Sequence, residues 1–210
     1  MSTETIVSIP ADNDVPLEGQ LTVPESPAGI VVFAHGSGSS RHSPRNNFVA
    51  EVLNDRNLAT LLFDLLTEQE DRDRSNRFDI PLLTDRLGAA TDWVAERPAV
   101  SDLPRGYFGA STGAAAALKA QARRDDVDAV VSRGGRVDMA EDALDEIDAP
   151  SLFIVGGDDE DVLELNREAF ARLDCEKSLE VVEGAGHLFE GPGELETVAE
   201  HAADWFETHL

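Results

Sequence analysis

The sequence holds 210 residues, with 42 acidic against 17 basic side chains and a formal charge of −25 at pH 7. One domain is the expectation at this length, and 41% hydrophobic residues are enough for a sizeable core. The charge argues against nucleic acid or an anionic membrane as partner, both being polyanions, and a lone cysteine, Cys175, excludes an intramolecular disulfide and a cysteine-based metal cluster.

Two strands open the chain, Thr5–Ile9 and Leu17–Val23, around an Asp-Asn-Asp turn at residues 12–14. The pattern then changes. Gly29–Ala34 is a continuous apolar run, which fits a strand buried on both faces, and it ends in His35-Gly-Ser-Gly-Ser-Ser40. Asn47–Arg56 has helical spacing, Ala59–Leu66 reads as another buried strand, and the charged stretch Thr67–Asp79 reads as a loop. A helix is predicted over Ile80–Arg97, stopped by Pro98, followed by a short strand at Gly106–Ala110 and an alanine-rich helix at Thr112–Arg124. Strands at Asp128–Ser132, Ser151–Val155 and Ser178–Val182 then alternate with helices at Met139–Ile147, Val162–Leu173 and Gly193–Leu210.

Such alternation predicts an α/β fold: a mostly parallel sheet with helices on both faces, an N-terminal antiparallel hairpin, and one domain over residues 1–210. Ligands of such sheets bind beyond the carboxyl ends of the strands, so the loops there carry the chemistry.

Gly109-Ala-Ser111-Thr-Gly113 lies between a predicted strand and a predicted helix, the setting of a nucleophilic serine on a tight strand-to-helix turn. The plainer reading is a glycine-rich turn that lets strand and helix pack closely. A serine hydroxyl needs a general base and a group to orient that base. An acid and a histidine both follow later strands, in Gly156-Gly-Asp-Asp-Glu-Asp161 and in Glu183-Gly-Ala-Gly-His187. Among the other histidines, His201 and His209 lie in the last predicted helix, His42 in a loop, and His35 reads as structural.

The order Ser111, acid, His187 on this scaffold resembles the α/β-hydrolase superfamily. HGSGSS, GASTG, VGGDDEDV and GAGHLF together are most similar to its dienelactone-hydrolase-like branch, over about residues 15–210. The resemblance implies a serine hydrolase that cleaves a carboxylic ester or lactone through an acyl-enzyme. Ser111 is then the nucleophile, His187 the base, and Asp159 the orienting acid, with Asp158 the next candidate and Asp161 read as a helix cap. It places the oxyanion donors at the backbone N–H groups of Thr112 and Ser37. No metal or organic cofactor is implied. The dienelactone hydrolases themselves carry a cysteine nucleophile, and here the elbow holds serine. The short gap before Ser151 leaves no room for an inserted lid domain.

Arg41, Arg45 and Arg133, with Arg136, fall in loops near this site and suggest a small anionic substrate, unless they pair with neighbouring acids. An acyltransferase or thioesterase with the same triad, or a non-catalytic binding protein on the same fold, stay open as alternatives. Fifteen arginines, two lysines (Lys119 and Lys177) and the acidic excess resemble a protein of a salt-rich cytoplasm; an ordinary acidic protein is the alternative. Met1–Pro10 lacks the charge and apolar core of a secretory signal, and no apolar stretch approaches a membrane span, so a soluble cytoplasmic chain is expected.

Overall fold

The continuous apolar runs form the middle of one eight-stranded sheet. In the computed structural model, which describes residues 2–12 and 15–210, β3 (Gly29–Ala34), β4 (Leu58–Phe63), β6 (Ala129–Arg133) and β7 (Ser151–Gly156) are buried at every position. β1 (Thr3–Ala11) and β2 (Val15–Val23) lie at one side, and β5 (Arg105–Ala110) and β8 (Lys177–Val182) complete the order β1-β2-β4-β3-β5-β6-β7-β8. From β4 to β8 all neighbours are parallel, while β1 pairs with β2, and β2 with β4, antiparallel. The hairpin therefore forms as expected from the sequence; Asn13 and Asp14 of its turn lie outside the described residues.

Side chains alternate across each buried strand, and each face has its own helical cover. Val31 and Phe33 pack with Leu53 of α1 (Pro44–Asp55) and Phe206 of α6 (Glu194–His209). Ile30 and Val32 face the other way, toward Leu87 of α3 (Ile80–Ala95) and Leu118 of α4 (Thr112–Gln121), in a cluster that also takes Ala169 of α5 (Glu160–Arg172). Among the described residues no helix is long and apolar enough to cross a membrane.

Helix starts differ from the sequence expectation. α1 begins at Pro44 rather than Asn47, because Ser43 Oγ accepts the Asn46 N–H at 3.3 Å and proline is tolerated in the first turn, where its missing donor is not needed. The Thr67–Asp79 stretch, expected as a loop, holds one helical turn, α2 (Glu68–Asp71), closed by a Thr67–Glu70 capping box, and a 3-10 turn at Asn76–Phe78. The expected helix at Met139–Ile147 is a 3-10 segment, Val137–Glu146. It occupies most of the connection from β6 to β7, and no lid is inserted there.

Candidate active site

β5 passes straight into α4, and Ser111 takes the turn with φ 52° and ψ −119°. A non-glycine residue there costs about 1–3 kcal/mol and persists only if its surroundings hold it. Three backbone bonds do so: the Ser111 N–H donates to Arg133 O at 3.1 Å, and Ser111 O accepts from Ala114 N at 3.1 Å and Arg136 N at 3.0 Å. The start of α4 is pressed against the end of β3, since a Cβ on Gly113 would lie 2.1 Å from Ala34 O and 2.5 Å from His35 O. Both obstacles are backbone, so nothing flexible can move aside. Gly113→Ala is expected to lose about 3 kcal/mol of unfolding free energy in a urea titration; a loss below 0.5 kcal/mol would show that the strand end yields freely.

Two further loops leave the same end of the sheet, after β7 and after β8. They are tied together by Gly157 N–H to Val182 O at 2.9 Å and Asp158 N–H to Ala185 O at 3.0 Å. The contact needs a glycine at 156, where a Cβ would stand 2.3 Å from Ala185 O. This brings Asp159 Oδ2 to 2.6 Å from His187 Nδ1, which donates to the carboxylate and leaves Nε2 as the free acceptor. Asp158 and Asp161 are exposed. Asp161 does not cap α5, which starts two residues before the expected Val162. Asp159 holds the N-cap position, and its side chain makes no capping bond because it is turned to His187.

Ser111 and His187 line one cleft of about 320 Å³ together with Gly36, Ser37, Arg45 and Arg133. No hydrogen bond closes between Ser111 Oγ and the ring; such contacts often tighten only in a substrate complex. The backbone N–H groups of Ser37 and Thr112 donate to no protein acceptor among the described residues. His35 braces their loop from beneath, with Nδ1–H donating to Gly36 O at 3.0 Å and Nε2 accepting from Leu65 N–H at 3.0 Å. Burial holds its pKa below the usual histidine value, in keeping with a neutral ring used as a strut.

The arginines separate. Arg41 pairs with Asp64 and, at 2.6 Å, with Glu18, and it lines a neighbouring cleft rather than the one that holds Ser111. Arg136 pairs with Asp138 at 2.8 Å. Arg45 reaches the Ser111 cleft, its Nε donating to Leu188 O at 2.9 Å and its Nη2 lying 3.5 Å from Glu190. Arg133 is 8% exposed and has no carboxylate within ion-pair distance among the described residues. Burial, with Arg45 nearby, pushes its pKa down to about 10. Among the described residues its polar side-chain contact is Asn46 Oδ1 at 3.4 Å. Asn46 was not singled out by the sequence. The signal that was there is Ser43-Pro44, which marks a helix start and so sets residue 46 in a first turn pointing at the site.

Comparison with known proteins bears on the family and the fold. The chain is 51% identical to a dienelactone hydrolase from Anabaena variabilis of solved structure, covering all of this chain and 99% of that one at a TM-score of 0.96. Est1E from Butyrivibrio proteoclasticus shares the fold at 18% identity and a TM-score of 0.82, over 97% of this chain and 98% of its own. Two strains of Mycobacterium tuberculosis hold relatives named "Putative phosphoribosyl transferase", 61% identical over 197 residues, or 93% of this chain. This chain spans only 44% of the length of those relatives. Residues 17–210 match the dienelactone hydrolase family, and the chain belongs to that family of α/β hydrolases.

Proposed function

We propose that the protein is a serine hydrolase of small carboxylic esters or lactones, working in the cytoplasm through Ser111, His187 and Asp159. The observation that carries this reading is the 2.6 Å Asp159–His187 pair facing the cleft that also holds Ser111 on its strained turn. With Nδ1–H fixed on Asp159, Nε2 takes the Ser111 proton as Oγ attacks the acyl carbon, and the carboxylate compensates the imidazolium. The developing oxyanion takes the free N–H groups of Ser37 and Thr112, at the N-terminus of α4. His187 then protonates the leaving alkoxide, and water resolves the acyl-enzyme by the reverse proton path. Two guanidinium groups on the cleft suit an anionic substrate.

No lid shields the acyl-enzyme between β6 and β7, so water is the acceptor favoured over a second bound alcohol or thiol. The transferase name belongs to relatives more than twice as long, and Ser111, His187 and Asp159 supply no reason to extend it to this chain. A fluorophosphonate probe tests the reading: it should label the wild type and not Ser111→Ala. Equal labelling of both would remove Ser111 as the nucleophile, and turnover on p-nitrophenyl acetate to butyrate then reports acyl preference.

The acidic excess supports a salt-adapted protein. Even where arginines gather acids they are outnumbered, as when Arg56 meets Glu200, Asp204 and Glu207. Screening removes net repulsion once the Debye length falls to about 3 Å at 1 M salt. The melting temperature should rise by about 5 °C or more between low and molar KCl; a flat series would leave an ordinary acidic protein.

A further inference from the structure

The two buried arginines of this chain are treated differently. Arg86, 4% exposed, has Glu70 at 2.7 Å. Arg133, 8% exposed, has no counter-charge among the described residues, although the sequence offers 42 acids. Its Nε lacks a hydrogen-bond partner there, as do Nε and Nη1 of Arg86, so the missing carboxylate is what separates the two. Its contact with Asn46 Oδ1, at 3.4 Å, is long for a hydrogen bond. Leaving a buried cation bare is costly, and the cost is recovered when an anion arrives. The aromatic ring of Phe189, 6.0 Å from the Arg133 guanidinium carbon, is only a weak substitute.

Arg133 does not stand alone. The first residues of α1, a helix of 12 residues, line the same cleft: Ser43 at the N-cap, then Arg45 and Asn46. Ser43 satisfies the Asn46 N–H, and the Arg45 N–H donates to nothing among the described residues. The Arg45 side chain is pinned to Leu188 O, the residue after His187. A helix N-terminus, a guanidinium from α1 and a guanidinium from the end of β6 thus converge beside Ser111 and His187.

We propose that this end of the cleft binds the phosphate group of a phosphorylated acyl ester, which rests on the hydrolase reading of Ser111. A planar monoanion satisfies one guanidinium fork. Two forks on separate elements beside a helix terminus offer donors from more than one element, and although Arg45 shares its charge with Glu190 at 3.5 Å, Arg133 does not, which suits a tetrahedral dianion. At about 320 Å³ the cleft takes a small substrate. The whole-molecule charge of −25 repels anions, so recognition has to be local.

Three p-nitrophenyl esters of matched length test the proposal at pH 8: butanoate, hemisuccinate and 3-phosphonopropanoate. The wild type should prefer the phosphonate to the butanoate by about 10- to 100-fold in kcat/KM. Arg133→Met should bring that ratio close to one, and Arg133→Lys should recover part of it. Inorganic phosphate should raise the wild-type melting temperature over chloride at equal ionic strength, and this rise should vanish in Arg133→Met. If that variant does not fold, Arg45→Met at the partly exposed neighbour gives the same two readouts. Equal or greater preference for the hemisuccinate, or no preference, overturns the phosphate site, as does a phosphate effect unchanged in the variants. Phosphate stabilisation lost in Arg133→Met, with none of the three esters hydrolysed, supports the site and instead removes the hydrolase reading.

Discussion

Ser111→Ala should lower kcat on p-nitrophenyl butyrate by about 10⁴-fold or more, the scale on which members of a catalytic unit fail when one is removed. The argument runs from the backbone. Ser111 sits at φ 52° because its N–H and C=O are committed to Arg133, Ala114 and Arg136, and this holds the residue on the cleft shared with His187. Alanine keeps the Cβ and hence the turn, so the fold should survive and the loss should be chemical. The proposed oxyanion donors, the backbone N–H groups of Ser37 and Thr112, remain in the variant, which predicts a residual rate above the uncatalysed one. By contrast, Ser37→Ala and Thr112→Ala delete side chains and leave the backbone donors in place, so each should cost less than about tenfold against the 10²–10³ of a lost donor. A Ser111→Ala enzyme within tenfold of the wild type would mean that another group attacks the substrate.

The strands were legible because burial on two faces leaves an unbroken apolar run, and Gly29–Ala34 and Ser151–Gly156 carry that mark in the residues themselves. The elbow was legible for a local reason as well: Gly109, Ser111 and Gly113 stand where strand and helix meet with no loop between them. Helix starts were misplaced where a cap, not an apolar residue, sets the boundary, as at Ser43 and Asp159. The fates of the arginines were not legible. Arg41 meets Asp64 and Glu18, both 23 residues away, and Arg133 meets Asn46 across 87. Which acids reach which guanidinium depends on how strand order returns distant loops to one edge of the sheet, and composition carries no trace of that.

Three aspartates compete within four residues, and their amides should separate them. Asp159→Asn is expected to reduce kcat by about 10³–10⁴-fold, while Asp158→Asn and Asp161→Asn stay within about threefold of the wild type. Only Asp159 meets the ring, at 2.6 Å from Nδ1, whereas Asp158 and Asp161 are exposed. An asparagine at 159 can present its NH₂ to Nδ1, which then accepts instead of donating, and the proton moves to Nε2, the nitrogen required to receive the serine proton. The imidazolium of the transition state also loses its counter-charge. Stability should move little, because asparagine is as good at a helix N-cap as aspartate, and Asp159 is not using its side chain to cap α5 in the first place. A thermal melt within a few degrees of the wild type, combined with the large loss of kcat, would separate a catalytic defect from an unfolded loop. The reverse pattern, with Asp158→Asn inactive and Asp159→Asn active, would move the acid by one residue and require the β7–α5 loop to turn over when substrate binds.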